Sequence, residues 1–144
     1  MAQALKQQSV KSRPGTMRLV DATRYKLPPA GWVSILHRIS GALMFLLLPF
    51  VVWLFDVSLS TELSYERFTN AFVGGLGFVP GFFVKLVVLG LIWAYLMHFI
   101  AGLRHLWMDL SHAATSKAMG RMSALVTLAA STLLTLALGA KLFF

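Results

Sequence analysis

Four residues in one apolar stretch have the types and spacing to do chemistry: His98, Arg104, His105 and Asp109, in the run H-F-I-A-G-L-R-H-L-W-M-D. Ionisable groups inside a membrane-embedded helix are costly, and an imidazole held there needs a partner that compensates for lost water. A bound metal or cofactor is one candidate; a hydrogen bond to a neighbouring helix is the structural alternative. A second polar cluster opens an earlier stretch, G-W-V-S-I-L-H-R-I-S-G. There Ser34, Arg38 and Gly41 are spaced i, i+4, i+7 and share a helix face, while His37 and Gly41 form an i, i+4 pair on the adjoining side. A hydroxyl, a guanidinium and an imidazole within about two turns can offer hydrogen bonds to an amphipathic ligand at the edge of the hydrocarbon, such as a quinone carbonyl or a porphyrin propionate. The other reading is an interfacial anchor, with Arg38 snorkelling to headgroups and Ser34 capping or back-bonding to its helix.

The elements that must position these residues follow from composition. With 58% hydrophobic and 12% charged residues in a chain of 144, there is too little polar surface to coat a soluble globule. Three apolar segments, about 32–55, 82–107 and 122–144, reach the roughly 20 residues that a helix needs to cross a bilayer. They lack the period-2 alternation of barrel strands and are too few to close a barrel. The expected fold is all-α and integral to a membrane: three transmembrane helices after a basic leader, residues 1–31.

Charge placement gives a topology, because short loops rich in Lys and Arg stay cytoplasmic. The leader holds Lys6, Lys11, Arg13, Arg18, Arg24 and Lys26 against Asp21 alone. The first connection carries Asp56, Glu62 and Glu66 against Arg67, and the second carries Lys117 and Arg121. The N-terminus is therefore expected in the cytoplasm. A net charge of +8 then calls for no nucleic-acid partner, since the basic excess flanks spans where anionic headgroups and partner proteins lie. The leader contains no apolar core with a small-residue cleavage site, so no secretory signal is expected; being basic and nearly free of acids, it admits a residual mitochondrial targeting signal. With no cysteine, the chain supplies no disulfide, thiolate metal site or iron–sulfur ligand.

Within the second span Gly90, Ala94, His98 and Gly102 recur every four residues, a small-residue stripe that lets another helix or a flat macrocycle approach the backbone. His105 lies i+7 from His98, on nearly the same face and about 10 Å nearer the cytoplasm. Counted from the span ends, His37 is about 8 Å deep and His98 about 13 Å deep, which disfavours His37 as a second ligand opposite His98. In the third span Ser123, Thr127, Ser131, Thr135 and Gly139 also recur every four residues, as expected for helix packing with hydroxyl back-bonding. Trp32 and Trp107 read as interface anchors, Pro49 as a kink or packing feature, and His112 as a loop residue.

The segments S-I-L-H-R-I-S-G (Ser34 to Gly41) and H-x-x-x-G-L-R-H-L-x-M-D (His98 to Asp109) resemble the two motifs of the succinate dehydrogenase cytochrome b556 family, the first membrane anchor of respiratory complex II. The three spans, the length and Arg13-Pro14 in the leader agree with it. Two departures lie outside the positions assigned to chemistry: the leader continues G-T-M-R-L without Ser-Pro-His, and Ser111 stands where Gly or Ala is more usual. The resemblance implies that His98 is an axial ligand to the iron of haem b, with the second axial histidine supplied by a companion anchor subunit. It places Ser34 and Arg38 at a ubiquinone-reduction site, and His37, Arg38 and His105 near the haem propionates. It also implies a flavoprotein and an iron–sulfur subunit that oxidise succinate, so that this chain alone holds no dehydrogenase active site. A bacterial inner membrane is expected before a mitochondrial one. Asp109 is assigned as a partner for Arg104 or a member of a proton path. A quinol:fumarate reductase anchor would use the same residues in the opposite direction, and a small transporter subunit with a His and Arg proton relay is the reading from a different class.

Overall fold

The computed structural model describes residues 25–144, so Arg13-Pro14 and the leader charges Lys6, Lys11, Arg18, Asp21 and Arg24 lie outside the described residues. Among the described residues there are four α-helices in chain order: α1 Pro29–Leu59, α2 Glu62–Val73, α3 Gly81–Leu110 and α4 Lys117–Phe143, with a 3-10 turn over His112–Thr115. α1, α3 and α4 are long and apolar enough to cross a membrane, so the all-helical, three-span architecture expected from composition is the one observed.

Two of the spans, α1 and α3, begin where the sequence removes backbone donors. Pro28 precedes α1 and Pro29 opens it, and Pro80 precedes α3; proline at the first helical position has its φ already set and lacks only an N–H that would find no partner there. α1 runs through Pro49 to Leu59, 31 residues in all, or about 46 Å at 1.5 Å per residue. The hydrocarbon core is only roughly 30 Å thick. α1 and α3 therefore outrun their apolar segments at both ends, and α4 at its start, because hydrogen bonding continues through interfacial residues such as Asp56 to Leu59 after hydrophobicity has stopped.

The first connection is more ordered than its polar composition suggested. Thr61 caps α2 by accepting from the Ser64 amide at 3.1 Å, and the Ser64 hydroxyl oxygen accepts from the Thr61 amide at 2.8 Å. This reciprocal arrangement satisfies two amides that a helix N-terminus would otherwise leave unpaired. α2 then stacks Tyr65 on Phe68, with ring centroids 6.0 Å apart, and Phe68 edge-on to Phe72 at 5.1 Å.

The three spans meet around Val33 of α1, Met97 and Ala101 of α3, and Ala124 of α4, all fully buried. Small side chains at Ala94, Ala101 and Ala124 let the backbones approach closely, the geometry that van der Waals packing needs where lipid supplies no hydrophobic drive. The stripe on α4 stays buried from Thr127 through Ser131 and Thr135 to Gly139. Its hydroxyls turn back on their own helix: Thr127 donates to the Ser123 carbonyl at 2.9 Å and Thr135 to the Ser131 carbonyl at 2.7 Å. The stripe on α3 behaves differently, since Ala94 is buried but Gly90 is exposed. Steps of four advance about 40° beyond a full turn each, so Gly90 has rotated about 120° from Gly102.

Much apolar surface faces outward, with Phe45 75%, Leu46 71% and Leu133 66% exposed. α1 is the extreme case, because only 6% of its most apolar window is buried by the rest of the chain. Such a helix is complete only against lipid or another apolar partner.

Candidate functional site

Both cluster-bearing helices carry the pattern His-x-x-x-Gly: His37 to Gly41 on α1, and His98 to Gly102 on α3. The helices pack antiparallel, so each glycine faces the other helix's histidine. A Cβ on Gly41 would stand 2.9 Å from Cε1 and 3.1 Å from Nδ1 of His98, and one on Gly102 would stand 4.0 Å from Nε2 of His37. The close approach at Gly41 is open only to a residue without a side chain.

In that space the imidazoles of His37 and His98 stack with centroids 4.2 Å apart and planes 28° from parallel. His105 lies on the other side of His37 at 5.3 Å, tilted by 40°. The three histidines singled out in the sequence thus form one cluster, with His37 in the middle. His37 and His98 lie at the same level, contrary to the depths counted from the span ends. Those counts assumed level helix ends, and the ends are offset.

The His98 ring is held by one polar contact, 3.1 Å between its Nδ1 and the backbone carbonyl of His37. A carbonyl only accepts, so Nδ1 carries the proton and donates, and in the neutral ring Nε2 is left with its lone pair free. An N–H anchored on a carbonyl, with the opposite nitrogen unprotonated, is the arrangement by which a metal-ligating histidine is oriented. The same carbonyl also accepts from Ser40 Oγ at 2.9 Å. Ser40 is fully buried, and sequence reasoning did not assign it a role. Its i+3 spacing from His37, common for serine back-bonding, was the available signal.

Ser34 is half-buried one turn before Arg38, and Arg38 is exposed on the adjoining face, about 100° round the helix from His37. Neither is drawn into the histidine cluster by a side-chain hydrogen bond. Arg104 corrects an expectation. It does not pair with Asp109, which is exposed; five residues on is about 140° round the helix. Instead Arg104, only 7% exposed, donates from Nε to Ser123 Oγ at 2.9 Å and from Nη2 to the Gly120 carbonyl at 3.2 Å. It binds α3 to the start of α4.

No group of three or more His, Cys, Asp or Glu side chains is placed to enclose a metal ion among the described residues. A haem does not ask for one, because its porphyrin fills four positions and the protein supplies axial ligands only.

Residues 12–138 match the family described as succinate dehydrogenase/fumarate reductase transmembrane subunit. The chain belongs to this family. Relatives within the anchor family include a succinate dehydrogenase cytochrome b556 subunit of Coxiella burnetii, 36% identical over 92 residues that cover 63% of this chain and 68% of the relative. A protein of the same description from Rickettsia felis is 26% identical over 114 residues, covering 79% of this chain and 81% of that one. In this anchor chain both His-x-x-x-Gly segments fall inside the matched region, on adjacent spans that bring them into contact.

Proposed function

We propose that this chain is a haem b-binding membrane anchor of succinate:quinone oxidoreductase, with His98 as an axial ligand through Nε2. The observation that carries this reading is the Nδ1 contact to the His37 carbonyl at 3.1 Å beside Gly41, which fixes both the orientation and the tautomer of His98. His37 does not serve as the opposite ligand. The imidazoles of His37 and His98 lie face to face with centroids 4.2 Å apart, so their ring nitrogens do not converge on a shared point, and His98 alone of the two would hold the haem. The second axial histidine comes from a companion anchor subunit. The poorly covered α1 and the outward apolar surface of the spans give that subunit a place to pack. His37, His105 and Arg38 take the propionate side, where Arg38 supplies a charge-assisted contact. When bound, the haem supplies one-electron storage within the membrane.

Electrons from succinate arrive through a flavoprotein and an iron–sulfur subunit, since this cysteine-free chain offers no ligand for a cluster. Quinone reduction consumes protons as well as electrons. A site near the start of α1, at the water interface, lets protons enter from solvent while the isoprenoid tail stays in lipid. Ser34 donates a hydrogen bond to a quinone oxygen, and the Arg38 guanidinium stabilises negative charge developing on the ring, by the electrostatic logic of an oxyanion site. The basic residues flanking α1 and α4 support a cytoplasmic N-terminus, and the reading takes the membrane to be a bacterial inner membrane. The names of the two relatives favour succinate oxidation over fumarate reduction as the direction. Family membership favours this reading over a proton-relay transporter.

The quinone assignment is tested on the purified complex by comparing two activities. Ser34→Ala and Arg38→Ala are expected to lower succinate:quinone activity at least tenfold while reduction of a water-soluble artificial acceptor persists. Equal loss of both activities would show failed assembly instead and remove these residues from the quinone site.

A further inference from the structure

We propose that Ser40 is a positioning residue that sets how strongly His98 donates electron density to the iron; this rests on His98 being the haem ligand. The carbonyl of His37 has two lone pairs and accepts from more than two donors. Inside α1 it accepts the ladder bond from the amide four residues on. It also accepts from Ser40 Oγ at 2.9 Å and from His98 Nδ1 at 3.1 Å. The carbonyls to which Thr127 and Thr135 back-bond take no other side chain among the described residues, whereas the Gly120 carbonyl, like that of His37, takes two, Ser123 Oγ at 3.3 Å and Arg104 Nη2 at 3.2 Å. At His37 the back-bond instead competes with the contact that orients the cluster.

The competition has a direction. Each donor that a carbonyl accepts withdraws density from it and weakens its hold on the next. While Ser40 donates, the His98 Nδ1–H bond is restrained, and the imidazole keeps its neutral character. Without the hydroxyl, the carbonyl pulls harder on Nδ1–H, the ring gains imidazolate character, and its Nε2 becomes a stronger donor to a metal. A stronger donor favours the oxidised iron. Ser40 is fully buried, so water cannot replace the lost hydroxyl. Ser40→Ala removes one oxygen and leaves the helix and Gly41 as they are.

The test is a redox titration of the b-type absorbance in the intact membrane complex, with haem content measured alongside. Ser40→Ala is expected to retain haem and to lower the equilibrium constant for reduction two- to tenfold, roughly 18–59 mV more negative for a one-electron couple. Ser40→Thr, which keeps the hydroxyl, is expected to return the potential toward wild type. Should Ser40→Ala assemble without haem, Ser40→Cys carries the test, since its weaker donor is expected to give a smaller shift of the same sign. A haem-loaded Ser40→Ala complex with an unchanged or more positive potential overturns the proposal. His98→Ala separates this from failure of the underlying reading. If that variant keeps the full b-type band, both fall; if it loses the band while Ser40→Ala shifts nothing, only the role of Ser40 falls.

Discussion

The contact most sensitive to a small change is the one between Gly41 and His98. Replacing Gly41 by alanine would put a methyl group 2.9 Å from Cε1 and 3.1 Å from Nδ1 of the ring, when ordinary contact begins near 3.4 Å. The ring must retreat by about half an ångström, which stretches the 3.1 Å bond to the His37 carbonyl past hydrogen-bonding range. Overpacking of this kind costs about 1–3 kcal/mol. Alanine gives back up to about 1 kcal/mol through helix propensity, so the loss centres near 1–2 kcal/mol, a factor of about 5–30 in an equilibrium. That loss falls on haem retention, because the displaced atoms are those that aim Nε2. Gly102→Ala is the matched control. Its methyl group would sit 4.0 Å from His37 Nε2, in ordinary contact, and takes the same propensity gain without the clash. Haem-to-protein ratios of the two purified complexes are expected to differ at least fivefold, with Gly102→Ala near wild type. Equal ratios, or full haem in Gly41→Ala, would refute the claim that Gly41 makes the space for His98.

Arg104 gives an independent prediction about stability. Arg104→Ala removes two charge-assisted hydrogen bonds between α3 and α4, at about 1.5–3 kcal/mol each before relaxation, and should lower the thermal midpoint of the detergent-solubilised complex by several degrees. Arg104→Lys is expected to recover only part of this, since an ammonium cannot reproduce the planar fork. Asp109→Asn is expected to change that midpoint little, because Asp109 is exposed and unpaired with Arg104; a loss as large as that of Arg104→Ala would restore the ion pair.

The fold was legible because hydrophobic length is a one-dimensional property: three apolar runs of spanning length admit little else than three membrane helices. The histidine cluster was legible in membership but not in geometry. His37, His98 and His105 could be picked out because imidazoles are rare and costly among apolar residues, and Gly41 and Gly102 could be placed on their faces by spacing. What spacing could not give was the offset between helix ends, which is set by how Val33, Met97 and Ala101 interlock. Depth counted along each helix therefore misjudged His37 against His98. Arg104 was misassigned for a related reason: sequence proximity pointed to Asp109, while the true partners, Ser123 and Gly120, sit on another helix. Ser40 was missed because a serine after a histidine reads as ordinary helix back-bonding until a second donor is found on the same carbonyl. α2 escaped because its cap is Thr61 with Ser64 in place of the usual acid or amide at the third position.

The most direct test is a reduced-minus-oxidised absorbance spectrum of the purified complex carrying His98→Ala, measured beside His37→Ala. His98→Ala removes the lone pair that Nε2 offers and is expected to abolish the b-type band. His37→Ala keeps the backbone carbonyl that holds His98 and is expected to keep the band, at reduced content where propionate contacts are lost. A full band in His98→Ala, or a band lost in His37→Ala alone, would contradict the assignment of His98 as this chain's axial ligand.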